Sequence, residues 1–222
     1  MDRPFVFINS AMSADGKISS FLRSQVRISG HQDLERVDRL RASSDAIMVG
    51  IGTILADNPA LKVKSNELRN ERMKRRSPQN PLRIVADSLA RTPLDSAVLG
   101  EGCIIAVSKA APAQRLRQLS GKCEIIFSGD QQVDLIRLMC ILHEKGVRQL
   151  MVEGGATLNW SMIRAGLVDE ICVYLGNLII GGAQAPSLVG GDGFSDEYPL
   201  MKLICYERMD EGILVRWRIS QK

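Results

Sequence analysis

The chain has 222 residues, 45% hydrophobic and 24% charged, the balance of a globular protein long enough to bury a substantial core. No run of about eighteen apolar residues occurs, and the N-terminus lacks a signal peptide's apolar core, so no membrane span and a cytoplasmic location are expected. The net charge of +4 is uneven: residues 62–76 hold seven basic residues against two acids, leaving the rest at −1.

Apolar, β-rich runs alternate with helical patterns through most of the chain. Phe5 to Asn9 reads as a strand, and Gln32 to Arg41 as a helix with Leu34, Val37 and Leu40 at spacing three. Ala46 to Val49 is a buried strand, followed by a short helix from Ile51 to Ala56 that Asn58-Pro59 ends. Leu82 to Asp87, Cys103 to Ser108 and Cys123 to Ser128 are further strands, with a helix over Ala113 to Leu119 between the last two. Val133 to Glu144 is an amphipathic helix closed by Gly146. Gln149 to Glu153 returns to strand, and Thr157 to Arg164 to a helix stopped by Gly166. Beyond Leu167 come strands at Glu170 to Leu175, Leu203 to Met209 and Ile213 to Ser220, with Glu211-Gly212 marking a hairpin turn.

The expected architecture is α/β: a mostly parallel, doubly wound sheet with helices on both faces and antiparallel C-terminal edge strands. No repeat or linker divides the chain. Residues 1–222 are expected to form a single domain with a charged insertion loop at about 64–81.

That basic segment would need stacking aromatics or a reading helix to bind nucleic acid, and no aromatic lies between Leu22 and Phe127. It is expected to be a solvated insertion, or a lid that draws an anionic substrate toward a cleft. The cysteines (Cys103, Cys123, Cys140, Cys172, Cys205) are odd in number and form no C-x-x-C; four lie in strand-like runs. Buried free thiols are expected. With only His31 and His143 available, no metal site is expected.

Two strand-to-helix junctions carry glycines: Val49-Gly50-Ile51-Gly52-Thr53 and Val152-Glu153-Gly154-Gly155-Ala156-Thr157. A strand that stops at glycine and turns into a helix leaves N–H groups open at the helix start, where the helix dipole attracts phosphate. Two such turns suggest a ligand with more than one phosphate, such as a dinucleotide. Neither matches G-x-G-x-x-G.

Met12-Ser13-Ala14-Asp15-Gly16-Lys17, Leu40-Arg41-Ala42, Val49 to Thr53 with Asp57-Asn58-Pro59, Arg83 to Ser88, Glu153 to Leu158 and Gly166-Leu167-Val168-Asp169-Glu170 follow one another from about residue 5 to 220. In this order they resemble the reductase of riboflavin biosynthesis, a dihydrofolate-reductase-like family. The resemblance implies a dihydrofolate-reductase-like fold and NADPH-dependent reduction of a ribosylamino-pyrimidine 5′-phosphate to the ribitylamino compound. It implies cofactor contacts at Thr53, Asp57, Ser88, Leu89, Ala90 and Arg91, and at the Gly154, Gly155, Ala156 and Thr157 turn. An arginine at 91 favours NADPH over NADH by pairing with the 2′-phosphate. On the substrate side it implies Gln25, Arg27, Arg41, Leu61, Lys64 and Glu153, with Arg41 and Lys64 suited to a ribose 5′-phosphate. The long charged insertion after Lys64 departs from the family pattern, and so does the basic Arg27.

Asp57 and Glu153 are the carboxyl candidates for acid–base help in opening the ribose ring, and the sequence does not choose between them. No zinc-deaminase signature is present, so the stand-alone form favours the 2,5-diamino substrate over the deaminated one. The alternatives are dihydrofolate reduction on the same fold and a non-catalytic nucleotide-binding module. Such reductases are dimers, and the apolar final strands are the expected interface.

Overall fold

In the computed structural model, which describes residues 2–220, the elements follow the apolar periodicity closely. They run β1 (Phe5–Ser13), α1 (His31–Ser43), β2 (Ala46–Gly50), α2 (Ile51–Asp57), α3 (Asn66–Lys74), β3 (Leu82–Ala86) and β4 (Cys103–Val107). They continue with α4 (Ala113–Leu119), β5 (Glu124–Phe127), α5 (Leu135–Glu144), β6 (Gln149–Val152), α6 (Ala156–Arg164), β7 (Glu170–Gly176), β8 (Met201–Met209) and β9 (Gly212–Ile219). The chain divides into two compact units, each discontinuous in sequence. One holds the residues through Phe5 and 38–151, the other 6–37 and 152 onward.

In the first unit the strand order is β5-β4-β3-β2-β6. Neighbours pair in parallel from β2 through β5. Parallel strands covered on both faces need unbroken apolar runs, and Ile47, Met48, Ile104 and Ile105 are all fully buried. Each contributes about 2 kcal/mol of burial.

The charged insertion differs from the expected solvated loop. Ser65 Oγ caps α3 by accepting the Leu68 N–H at 3.2 Å. Arg72, 6% exposed, donates to the carbonyls of Ala42 (2.7 Å), Ser44 (2.8 Å) and Pro78 (2.8 Å). Long-range hydrogen bonding, invisible to local polarity, makes this segment structured.

In the second unit the order is β1-β7-β9-β8. β1 and β7 run parallel as far as Ser13 and Gly176. β7–β9 and β8–β9 are antiparallel, closed by a turn with Asp210 at φ 50°. Ile28, Cys172, Tyr174 and Leu214 form a buried cluster.

The Gly166 to Glu170 motif proves to be structural. Asp169 accepts the Val6 N–H at 2.7 Å, and Glu170 pairs with Arg216 (2.9 Å) and Arg218 (3.1 Å) across β9. All five cysteines are free, but the expected burial holds only for Cys103 and Cys172. Cys123 and Cys140 are half-buried and Cys205 is exposed, because β8 is an edge strand with open faces. Among the described residues, no helix is long and apolar enough to cross a membrane.

Candidate active site

Within the first unit, Gly50 pairs with Ala86 at the carboxyl ends of adjacent parallel strands. Ligands of open α/β sheets bind outside such strand ends. α2 begins at once after Gly50 and carries Thr53 and Asp57 four residues apart, hence on one helical face. The helix stops because Asn58 takes the left-handed conformation (φ 43°) and its Oδ1 accepts the Ala97 N–H at 2.8 Å. The Asp57 carboxyl is solvent-accessible, yet the protein mass around it displaces enough water to raise its pKa above the ordinary carboxylate value. Leu61, expected on the substrate side, is buried in the core at 2% exposure.

Beyond β3, the buried Asp87 shapes the turn of Ser88 to Arg91. Its Oδ2 accepts from Thr92 N (2.7 Å) and Thr92 Oγ1 (2.8 Å). Ser88 is committed to the scaffold: its Oγ accepts the Val133 N–H at 3.0 Å and its carbonyl accepts from Ser108. Ala90 is buried, whereas Leu89 and Arg91 face solvent, with Arg91 Nε 3.9 Å from Asp87 Oδ1. Arg115 was not legible in the sequence: it reaches from α4 to donate to the carbonyls of Ala90 (3.0 Å) and Thr92 (2.7 Å). It adds a second guanidinium at this turn. No local motif marks it.

Arg41 and Lys64 are brought together. Arg41 Nη1 donates to the Lys62 carbonyl at 3.1 Å. One helical turn earlier, the nearly buried Asp38 accepts the N–H groups of Lys64 (2.7 Å) and Ser65 (2.8 Å). The segment 62–65 is thereby fastened to α1, leaving the Lys64 side chain exposed.

The second unit resumes at Val152, followed by Glu153, which is half-buried, and then by the glycine turn. Gly154 sits at φ 95°, a conformation that a side chain would strain. Gly155 precedes α6, whose first turn has no side-chain cap and carries no acid to repel an anion. A loop the sequence did not flag buttresses this turn. Asn159 Nδ2 donates to the Leu188 carbonyl (2.8 Å) and the Gly190 N–H donates to the Ala156 carbonyl (3.0 Å). Gly191 packs so closely on the Trp160 ring that no Cβ fits there. Gln25 and Arg27 are both exposed; Val26 between them packs on the Ile28 cluster. Among the described residues, no three His, Cys, Asp or Glu side chains gather as metal ligands.

The family model of the RibD C-terminal domain matches residues 4–215. The chain belongs to that family. It is 48% identical to the 2,5-diamino-6-ribosylamino-4(3H)-pyrimidinone 5′-phosphate reductase of Archaeoglobus fulgidus over 99% of this chain and 100% of that protein. A pyrimidine reductase-like protein from Corynebacterium diphtheriae superposes with a TM-score of 0.86 at 18% identity, covering 100% of this chain and 94% of that one. Enterococcus faecalis dihydrofolate reductase superposes at 0.53 and 10% identity, over 98% of this chain and 97% of that one. The family's fold is dihydrofolate-reductase-like, with the expected antiparallel C-terminal strands.

Proposed function

We propose that the protein reduces the ribosylamino side chain of 2,5-diamino-6-ribosylamino-4(3H)-pyrimidinone 5′-phosphate to the ribitylamino form, with NADPH as reductant. The observation that carries this is the 48% identity to the A. fulgidus reductase across essentially both whole chains. Reduction requires the furanose to open, a proton at the ring oxygen and a hydride at C1′. NADPH supplies the hydride. The chain's own work is to bind, orient and move the proton.

Asp57 is the better-supported proton donor, since partial desolvation raises its pKa and keeps it protonated to higher pH than a free carboxyl. Glu153 remains the second carboxyl candidate. Arg41 on α1 and Lys64 on the segment fastened to it take the sugar phosphate as paired cations. Gln25, Arg27 and Leu61 are the further substrate positions in this reading. The acid-free first turn of α6 after Gly154-Gly155, with Ala156 and Thr157 as its first residues, suits a pyrophosphate. Arg91 and Arg115 at the Ser88 to Thr92 turn suit the adenosine 2′-phosphate, which favours NADPH over NADH.

The protein is a cytoplasmic homodimer in this reading, paired through β8. That nine-residue edge strand is exposed almost throughout and displays Leu203 and Tyr206. Light scattering during gel filtration should give twice the chain mass. Incubation with NADPH and the diamino pyrimidine, following the reduced-nicotinamide absorbance, tests the activity; no oxidation favours a binding module.

A further inference from the structure

Three residues at the amino ends of neighbouring strands of the first unit, Arg83 on β3, Cys103 on β4 and Cys123 just before β5, form a cluster that the reduction does not use. β3 and β4 are in register at Arg83 and Cys103, and β4 and β5 at Ile104 and Glu124. Cys123, one residue before Glu124, therefore lies beside Cys103 on the same face, with its S–H directed to the Leu119 carbonyl at 3.6 Å. Adjacent strands run about 4.8 Å apart, inside the Cα separation that a disulfide spans.

Both cysteines line a surface cavity of 620 Å³, which also has Lys122 in its wall. The cavity lies at the amino ends of β3 and β4, opposite the Ser88 to Arg91 turn. Cys123 is half-buried there, whereas Cys103 is 2% exposed. Arg83, 3% exposed, donates from Nη2 to the Gly100 and Glu101 carbonyls, while its Nε is buried without a hydrogen-bond partner. A buried guanidinium with a spare donor favours an anion nearby. The neighbouring Cys123 thiol, together with burial, pushes Cys103 up, and the neighbouring Cys103 thiol holds Cys123 below the ordinary thiol value.

We propose that Cys103 and Cys123 are a redox-active dithiol that closes to a disulfide by exchange with a low-molecular-weight disulfide such as oxidised glutathione. The Cys123 thiolate attacks one sulfur of the oxidant, forming a mixed disulfide and releasing one thiolate, which takes up a proton. Cys103 loses its proton to solvent, and its sulfur attacks Cys123 Sγ and expels the second thiolate. The two protein thiols are oxidised, and the small disulfide is reduced to two thiols.

Mass spectrometry of the full-length protein carrying Cys205→Ser, which removes the exposed competitor, tests this after incubation with oxidised glutathione. The expected product has lost two hydrogens, yields a Cys103–Cys123 cross-linked peptide and reverts with dithiothreitol. Adding Cys103→Ser should halt the reaction at a glutathione adduct on Cys123, and Cys123→Ser should leave Cys103 unreacted. A persistent adduct on Cys123 beside a free Cys103, or reaction at neither, overturns the proposal.

Discussion

The Asp15 carboxylate accepts the Gly181 N–H at 2.8 Å, 166 residues along the chain. It also takes the Ile180 N–H at 3.0 Å and the Ser13 hydroxyl at 2.6 Å. The strand that begins at Phe5 thus ends in a clasp on the loop that runs on to Leu188 and Gly190, which in turn hold Asn159 and Ala156 of α6. Asp15 therefore supports the Gly154 to Thr157 turn from two contacts away.

Replacing Asp15 by Asn should lower the thermal midpoint and raise KM for NADPH several-fold, with a smaller change in kcat. The Ser13 hydroxyl, then the two loop N–H groups, hold the Asp15 pKa down at about 2. Because the folded value lies below the unfolded one, the clasp's contribution is present above about pH 4 and is lost as pH falls toward 2. The midpoint gap between wild type and Asp15→Asn should therefore be constant at neutral pH and close in acid. A gap that persists unchanged at pH 2 would show that charge is not what the clasp uses.

Arg72→Met should destabilise the protein by about 2 kcal/mol, since it strands the carbonyls of Ala42 and Ser44 at the end of α1. Urea denaturation should show a lower midpoint with an unchanged slope. An exposed neighbour such as Lys74→Met should have little effect, which separates the buried guanidinium from the general basicity of the segment.

That contrast also shows what the sequence can reveal. The turns at Val49 to Thr53 and Val152 to Thr157 were legible because glycine, apolar run and helical spacing are all local. The helices that follow them begin within one residue of expectation. β1 beyond Asn9 was not, since Ser10-Ala11-Met12-Ser13 has no strand pattern of its own and is extended through its pairing with β7. α3 reads as loop because five charged residues among its nine mask it, although Ser65 followed by Asn66-Glu67 is a capping signal. Arg115 and Asn159 depend on partners 23 to 29 residues away, beyond the reach of any motif.

Asp57 gives a pH prediction. Partial desolvation raises its pKa, so as a proton donor it loses its proton as pH rises through a value above that of a free aspartate. The ratio of kcat/KM for wild type over Asp57→Asn should therefore fall with rising pH through that value. Taking the ratio cancels titration of the substrate phosphate. A flat ratio would pass the role to Glu153, where Glu153→Gln should then show the same loss of kcat.

Arg91→Ala should raise KM for NADPH about tenfold, near 1.4 kcal/mol, and leave KM for NADH unchanged. Arg91 is exposed and its contact with Asp87 is long, so the fold should not suffer. Equal losses with both cofactors would place the 2′-phosphate elsewhere.

The most direct measurement is turnover of the wild-type protein on the two pyrimidines, the 2,5-diamino ribosylamino phosphate and its deaminated counterpart, each with NADPH. Our account predicts NADPH oxidation with the diamino compound, formation of the ribitylamino product, and a lower kcat/KM on the deaminated one. Preference for the deaminated pyrimidine would contradict the assigned substrate, and no oxidation with either would contradict the assigned activity.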